Sequence, residues 1–338
     1  MLKLILYRFG QAVVVLLFVS AIVFFLIRLT PGDPVDIFLG EQNVSPEQRQ
    51  AYRRALGLDQ SIFVQYLNFL WNAVQGDLGQ SIYERASVSS LVFNAFLATA
   101  ELAVVGVLIA VAMGVPAALV AAMNHNRLSD RFLSAGALLG FSIPTFWLGI
   151  ILILGLSVHL GLFPTGGRIG GDVALQKITG FVILDSILTG NLRALGSGLL
   201  HIALPALTIA VALAASVMQV LRGSLIAVKE EEFIYALRSR GLTQDVIYRH
   251  MLRNAAPPTV IILGVKLGGL LGGAIITESV FSWPGLGRLI IDAIRARDYP
   301  LVQGGVLLMA MAFVIVSLIT DIIHILLDPR IRDGREGK

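Results

Sequence analysis

The sequence predicts an all-α polytopic membrane protein with six transmembrane helices, both termini cytoplasmic and a folded external segment between helices 1 and 2. Three observations carry this. Of 338 residues, 56% are hydrophobic and only 14% charged, with a mean hydropathy of +0.80, far more apolar than an ordinary soluble domain. The apolar residues gather in six runs, each long enough to cross a hydrocarbon core of about 30 Å as a helix, a form that satisfies its own backbone in lipid. Lys and Arg flank those runs on alternating sides.

The first run is Phe9 to Ile27, behind Lys3 and Arg8. A cleaved signal peptide is the competing reading. The run is long for that role, and Leu29-Thr30-Pro31-Gly32 offers no small-residue cleavage site. The others are Leu97 to Met123, Phe132 to Leu160, Leu199 to Leu221, Thr259 to Val280 and Leu301 to Leu327. With the N-terminus inside, segments 1–8, 124–131, 222–255 and the tail from Asp328 are cytoplasmic and hold 14 of the 26 basic residues. The excess is clearest at helix ends, at Arg127, Arg131, Arg222, Arg249, Arg253, Arg330 and Arg332. Two cytoplasmic termini need an even number of spans, so the third run is one crossing, tilted or broken at Pro144. The expected domains are residues 1–30 (first helix), 31–96 (external), 97–328 (the transmembrane domain) and 329–338 (tail).

The external segment reads as folded. Ser45 precedes Pro46 at the first helical position and Glu47 in the first turn, with Gly57 closing the helix. A second apolar-periodic stretch runs from Ile62 to Val74 and stops at Gly76. Phe163 to Gly198, carrying Gly166, Gly167, Gly170 and Gly171, reads as a second external loop.

Several chemistries are excluded. Without cysteine there is no disulfide, thiolate metal site or cysteine nucleophile. The net charge of +4 flanks apolar runs and forms no aromatic-interleaved patch, so nucleic acid is not a partner. ATP hydrolysis needs G-x-x-x-x-G-K-[ST], which is missing; WPGLGRLI at 283–290 lacks the lysine. No helix-spaced histidine pair suggests a metal, and G-x-S-x-G is absent.

The most informative segment is Leu221 to Pro258, two amphipathic helices joined at Gly241. Ile226, Phe233, Ile234 and Leu237 recur at helical spacing, Gly241 suits a helix C-cap, and Thr243 and Asp245 suit the next helix start. Val246, Ile247, Met251 and Leu252 make the second apolar stripe, and Pro257 and Pro258 mark re-entry into the membrane. Spacing alone leaves two readings open, a helix on lipid headgroups or one docking a partner, with the acids at 230–232 disfavouring anionic lipid.

This segment resembles the cytoplasmic "EAA" loop of type I ABC importer permeases. The E-A-A positions fall on Tyr235, Ala236 and Leu237, and the loop glycine on Gly241; Tyr235 and Leu237 depart from the pattern. The strings LTPGDP (29–34), LGLDQ (56–60), GDLGQS (76–81), FSIPTFWLG (141–149), TESVFSWPGLGR (277–288), RDYPLVQGGVLL (297–308) and DPRIR (328–332) are similar to the peptide and nickel branch of that family. ITGFVILD (178–185) places the likeness nearest the first permease subunits of dipeptide systems. The resemblance implies a bacterial cytoplasmic-membrane assembly of two homologous but different permease chains, two ABC ATPase subunits and a periplasmic peptide-binding protein. ATP and Mg belong to the ATPase subunits, and this chain binds no cofactor and catalyses nothing. Dipeptides or short peptides are the implied cargo, with nickel chelates, glutathione or longer oligopeptides as the alternative. Phe233, Tyr235, Ala236, Leu237 and Gly241 are the implied coupling residues.

Four charged residues fall in or at the ends of spans, where an ion is costly unless paired or watered: Glu101, Lys266, Glu278 and Asp321. Lys266, the most central, either lines the cavity and meets a peptide carboxylate or pairs within the bundle. Glu101 and Glu278 read as external anchors, and His159, His201 and His324 as packing or interfacial residues. Gly264, Gly268, Gly269, Gly272 and Gly273 suit close helix contact or a pore-lining face, and Pro116, Pro144 and Pro205 are candidate kinks. A membrane-embedded enzyme would need these charges to converge. A gradient-driven carrier would be expected to show inverted repeats and broken midplane helices. Neither signature is seen.

Overall fold

The computed structural model describes residues 2–29, 45–55, 58–271 and 274–327. Gly57, Gly272, Gly273, the tail from Asp328 and the LTPGDP string beyond Leu29 lie outside the described residues. Thirteen α-helices follow one another in the described residues: α1 (Leu2–Arg28), α2 (Pro46–Ala55), α3 (Ile62–Val74), α4 (Val88–Met123), α5 (Leu128–Ser142), α6 (Thr145–Leu152), α7 (Val182–Leu188), α8 (Leu192–Lys229), α9 (Glu232–Ser239), α10 (Gln244–Leu271), α11 (Ile275–Val280), α12 (Leu286–Arg295) and α13 (Tyr299–Leu327). A π-helical stretch, Ile153–His159, extends α6. Among the described residues there is no strand beyond one bridge between Gln80 and Ser87.

Among the described residues five helices are long and apolar enough to cross a membrane, α1, α4, α8, α10 and α13, and α5 with α6 adds a sixth candidate bent by 98°. The break is at Pro144. Its ring forces the preceding Ile143 out of the helical region to ψ 120°, so α5 stops there and α6 starts afresh. By contrast Pro116 and Pro205 sit inside α4 and α8 without ending them.

The spine of the bundle is the parallel pair α4 and α8, with Gly106 against Ala206 and Ile209 and Gly114 against Ala214 and Val217. Ala98, Leu102, Gly106, Ala110, Gly114, Ala118 and Ala122 recur every fourth residue and are buried, giving α4 a narrow face of small side chains. A Cβ on Gly114 would stand 2.8 Å from the carbonyl oxygen of Ala214 and 2.9 Å from Val217, so only glycine permits that approach. Packing condenses at three heights. At one end Ala118, Leu221, Leu225, Ile234, Ile247 and Met251 cluster; Leu102, Ile209 and Trp283 fill the middle; Val88, Leu286, Ile290 and Leu301 close the other end.

One sequence expectation needs correction. The fifth run is not one helix to Val280: α10 is described to Leu271, Ala274 is non-helical at ψ 49°, and Ile275–Val280 is a separate short helix. Pro257 and Pro258 do not interrupt α10, which runs unbroken from the second helix of the 221–258 segment into the bundle. The carbonyls that each proline deprives of a partner belong to Arg253 and Asn254, both exposed, where solvent can serve them. In the 45–87 segment, Ser45 Oγ accepts from Gln48 N at 3.2 Å and Ser45 N donates to Gln48 Oε1 at 3.1 Å, a capping box that starts α2. Gly76, at φ +81°, follows the end of α3.

Candidate functional site

One end of the bundle projects an elbow made by α9 and the start of α10. Ile234 and Ile247 are buried in the chain's own core, and Phe233 and Leu237 pack partly against it. That leaves Tyr235, Ala236 and Gly241 exposed on the outward side. Gly241 closes α9 at φ +72°: its N–H donates to Arg238 O at 3.0 Å, and Leu242 N donates to Leu237 O at 3.4 Å, the paired bonds of a Schellman cap. A Cβ at Gly241 would meet nothing within 4 Å, so glycine is needed there for its backbone angle and not for room within this chain.

The base of the elbow is held by an ion pair. Arg222, on α8, donates through Nε and Nη2 to the two carboxylate oxygens of Asp130 on α5, at 2.6 and 2.7 Å. Asp130 also accepts from Asn126 N at 2.9 Å, which fastens the α4–α5 turn, and His125 lies 3.2 Å away. The fork geometry makes this a charge-assisted bidentate contact. The sequence marks Arg222 only as a topology signal; Asp130 beside it is a partner no local spacing reveals.

At mid-height a groove of about 620 Å³ opens between Phe141 and Thr145, Ile209 and Leu213 of α8, and Val265, Lys266 and Gly269 of α10. Lys266 is the one charged side chain lining it. It is exposed, and no hydrogen bond or ion pair joins it to another described residue. On the same helix Gly264 and Gly268 serve a different purpose, close contact with Thr320 and Phe313 of α13, whereas Gly269 faces open space. Asp321 lies apart from the groove, paired with Arg8 of α1 at 3.3 Å between Nε and Oδ2 without the alignment of a hydrogen bond.

The remaining two acids close the opposite end. Glu278 is fully buried and accepts from Thr99 Oγ1 at 2.6 Å and from Arg288 N at 2.9 Å. Its carboxylate thus occupies the N-terminus of α12, and Leu286 N donates to Thr99 Oγ1 at 2.8 Å. A Cβ at Gly285 would stand 2.2 Å from that carboxylate, and one at Gly287 2.6 Å from Ile275. Trp283 Nε1 donates to Ala98 O at 2.9 Å. The glycines of WPGLGRLI therefore make room for an internal acid, which fills the position a phosphate would take. Glu101, 6% exposed, is held by Arg168 at 2.9 and 2.6 Å and by Ile183 N at 2.8 Å. Both anchors tie the chain after α6 and α11 back onto α4. His159 and His201 each hold Nδ1 2.7 Å from a carbonyl of their own helix, as structural residues do.

The five candidate coupling residues are thus gathered at one end, while the four intramembrane charges are dispersed and never converge. Among the described residues no three His, Asp or Glu groups could share a metal ion. What the arrangement offers is mechanical: a capped elbow rooted in the core at one end, an anchored lid at the other, and a groove between.

Comparison with known proteins agrees. Residues 114–333 match the family described as binding-protein-dependent transport system inner membrane component, and residues 1–103 match the N-terminal membrane component of the same systems. The chain is 39% identical over 336 residues to the dipeptide transport system permease protein DppB of Escherichia coli K12, covering 98% of this chain and 99% of that one. It is 37% identical to the di/tripeptide transport system permease protein DppB of Pseudomonas aeruginosa, over 99% of this chain and 100% of the relative. It is 34% identical to the glutathione transport system permease protein GsiC of Escherichia coli O6:H1, over 98% and 99%. The inward-facing MetNI methionine ABC transporter shares the fold, with a TM-score of 0.51 at 17% identity over 70% of this chain and 96% of that chain. Matched end to end by permeases, this chain belongs to the inner-membrane components of binding-protein-dependent transport systems, a multi-pass type I ABC importer permease that is not itself an enzyme.

Proposed function

We propose that the chain is one of two non-identical permease subunits of an importer for dipeptides and short peptides. The observation that carries this is similarity to di- and tripeptide permeases over 98–99% of the chain. The 34% identity to a glutathione permease favours a second reading, in which the cargo is glutathione, itself a small peptide. In this reading two ABC ATPase subunits bind ATP and Mg, a periplasmic binding protein delivers the peptide, and a second, homologous permease chain completes the pathway.

Charge and geometry together support one orientation. The α5–α6 pair starts beside Arg222 and is followed by a loop fixed to Glu101, partners at opposite ends of the spine. This supports reading the pair as one broken crossing, the sixth of the chain. The Arg8–Asp321 pair puts the start of α1 and the end of α13 toward the elbow. With the basic flanks inside, the elbow, residues 222–255, and both termini face the cytoplasm, and the 31–96 segment lies outside. The family boundaries leave the division into residues 1–30, 31–96, 97–328 and 329–338 as our own.

The elbow is where work enters. ATP-driven closure of the ATPases shifts the bundle between conformations only if their contacts differ between the two states. Tyr235, Ala236 and Gly241 present the outward contact surface, while Phe233 and Leu237 transmit its position to the core through the Ile234 cluster. Lys266 faces the pathway, where a free ammonium in an apolar groove suits a peptide carboxylate. Competition against uptake of a labelled dipeptide by the complete assembly tests the cargo. Unlabelled di- and tripeptides are expected to compete and nickel chelates are not; competition by glutathione alone would assign the second reading.

A further inference from the structure

Helix α3 has a sector that nothing described so far explains. Its 13 residues, IFVQYLNFLWNAV, include no charged side chain. Tyr66, Phe69, Leu70 and Ala73 fall on one side of the helix and are partly buried. Tyr66 and Phe69 meet α1: the Phe24 ring lies 5.1 Å from Tyr66 and 5.7 Å from Phe69. Next to that side runs a second apolar stripe, Phe63, Leu67, Trp71 and Val74, exposed by 74, 62, 69 and 83%. The uncharged amides Gln65, Asn68 and Asn72 make up the remaining arc. An aqueous surface helix would be expected to carry ions on the face that the bundle does not cover.

Depth decides what covers the stripe. Tyr66 OH donates to the carbonyl of Leu17 at 3.1 Å and lies 2.9 Å from Ser20 Oγ. Along α1, Leu17 is about 16 Å before Arg28, roughly half of a 30 Å hydrocarbon core. Arg28 itself folds over the Phe24 ring, its carbon Cζ 3.4 Å from the centroid, and donates to Gln65 Oε1 at 2.9 Å. So α3 does not stand clear of the membrane face; its side chains reach down beside the apolar wall of α1. That wall is itself exposed at Phe18 and Ile22, and the stripe continues it.

We propose that α3 is a membrane-interfacial helix whose Phe63, Leu67, Trp71 and Val74 insert among lipid acyl chains of the outer leaflet, beside α1. A 13-residue helix with a wide apolar arc, aromatic residues and an amide edge lies in the plane of the headgroup–acyl boundary, where its apolar face is removed from water. The alternative occupants, a second permease chain or a soluble binding protein, would bury the stripe only on assembly. This inference goes beyond transport: it concerns how the external segment is seated and does not depend on the cargo.

The test uses the full chain, which has no native cysteine. Phe63→Cys, Leu67→Cys, Trp71→Cys and Val74→Cys are nitroxide-labelled, with Asn68→Cys and Asn72→Cys as amide-edge controls. Collision with oxygen and with the water-soluble nickel chelate NiEDDA is then measured in lipid bilayers, for the chain alone and in the complete transporter. The stripe is expected to collide strongly with oxygen and weakly with NiEDDA in both settings, and the controls to collide more with NiEDDA. Strong NiEDDA collision at the stripe would overturn the proposal by placing it in water. Low collision with both reagents, appearing only in the complete transporter, would overturn it in favour of a protein partner. Should labelling impair folding, acyl-chain-brominated lipids are expected to quench the wild-type protein more than Trp71→Phe; equal quenching of the two would count against lipid contact.

Discussion

Gly241 shows a residue whose reason is local. The sequence reads it as a helix C-cap, and the backbone angle of φ +72° is that demand, since a Cβ there meets only open space. Gly241→Val therefore keeps the chain inserted but disfavours the Schellman cap by about 1–2 kcal/mol, and ATP-dependent uptake is expected to fall at least tenfold. Gly241→Asn, which tolerates the left-handed region better, is expected to retain more. Equal uptake by wild type and the Val variant would remove the cap from the mechanism. Lys266 is a second case. The bundle offers it no described partner, so Lys266→Met is expected to assemble normally and to lower uptake at subsaturating peptide by roughly tenfold, the scale of one lost charge-assisted contact. Unchanged uptake would mean that its ammonium reaches no substrate. Glu101 and Glu278 were legible as acids in or at the ends of spans, but their burial was not. Their partners were not, because Arg168 and Thr99 are 67 and 179 positions away in the chain.

Elements were legible where their signal is local. The apolar runs marked the long helices, Ser45-Pro46 marked the start of α2, and the helical spacing of Phe233, Ile234 and Leu237 marked α9, whereas Ile226, read with them, belongs to the end of α8. Continuity was harder to read. Pro144 ends a helix while Pro257 and Pro258 do not, because the outcome depends on whether the freed carbonyls reach solvent, a property of the packed bundle. The Gly-rich 163–198 segment read as a loop, yet it contains α7 and a turn pinned by Asp185. That carboxylate accepts from the amides of Ile178, Thr179 and Gly180 and from Thr179 Oγ1 at 2.6 Å. Burial, the largest single influence, pushes its pKa up, but the hydrogen bonds together hold it below the ordinary value of 3.8. A carboxyl depressed in the folded state stabilises above its unfolded pKa and loses that contribution as pH falls through the folded one. Amide exchange at residues 178–181 is accordingly expected to show constant protection from pH 5 to 8, once corrected for intrinsic rates, and weakened protection only below about pH 4. Asp185→Asn should show weakened protection throughout; a variant as protected as wild type would mean that the turn is held elsewhere.

At the scale of the molecule, composition and basic flanks were enough to indicate a polytopic membrane protein, and the strings around Gly241 were enough to suggest the family. The spine was not visible. Its small-residue face on α4 follows a four-residue rhythm within a uniformly apolar run, where hydrophobicity gives no contrast between inside and outside. The three packing levels explain how one chain can serve as a lever: the elbow shares a core with α4 and α8, the far end is clamped by Glu278 and Glu101, and the groove lies between. Such a lever does nothing without an engine. Uptake of a labelled dipeptide into proteoliposomes tests this most directly, comparing the chain alone with the chain joined by a second permease, both ATPases and the binding protein, each with and without ATP on the elbow side. The account predicts accumulation only for the complete assembly with ATP; accumulation by the chain alone, or by the assembly without ATP, would contradict it.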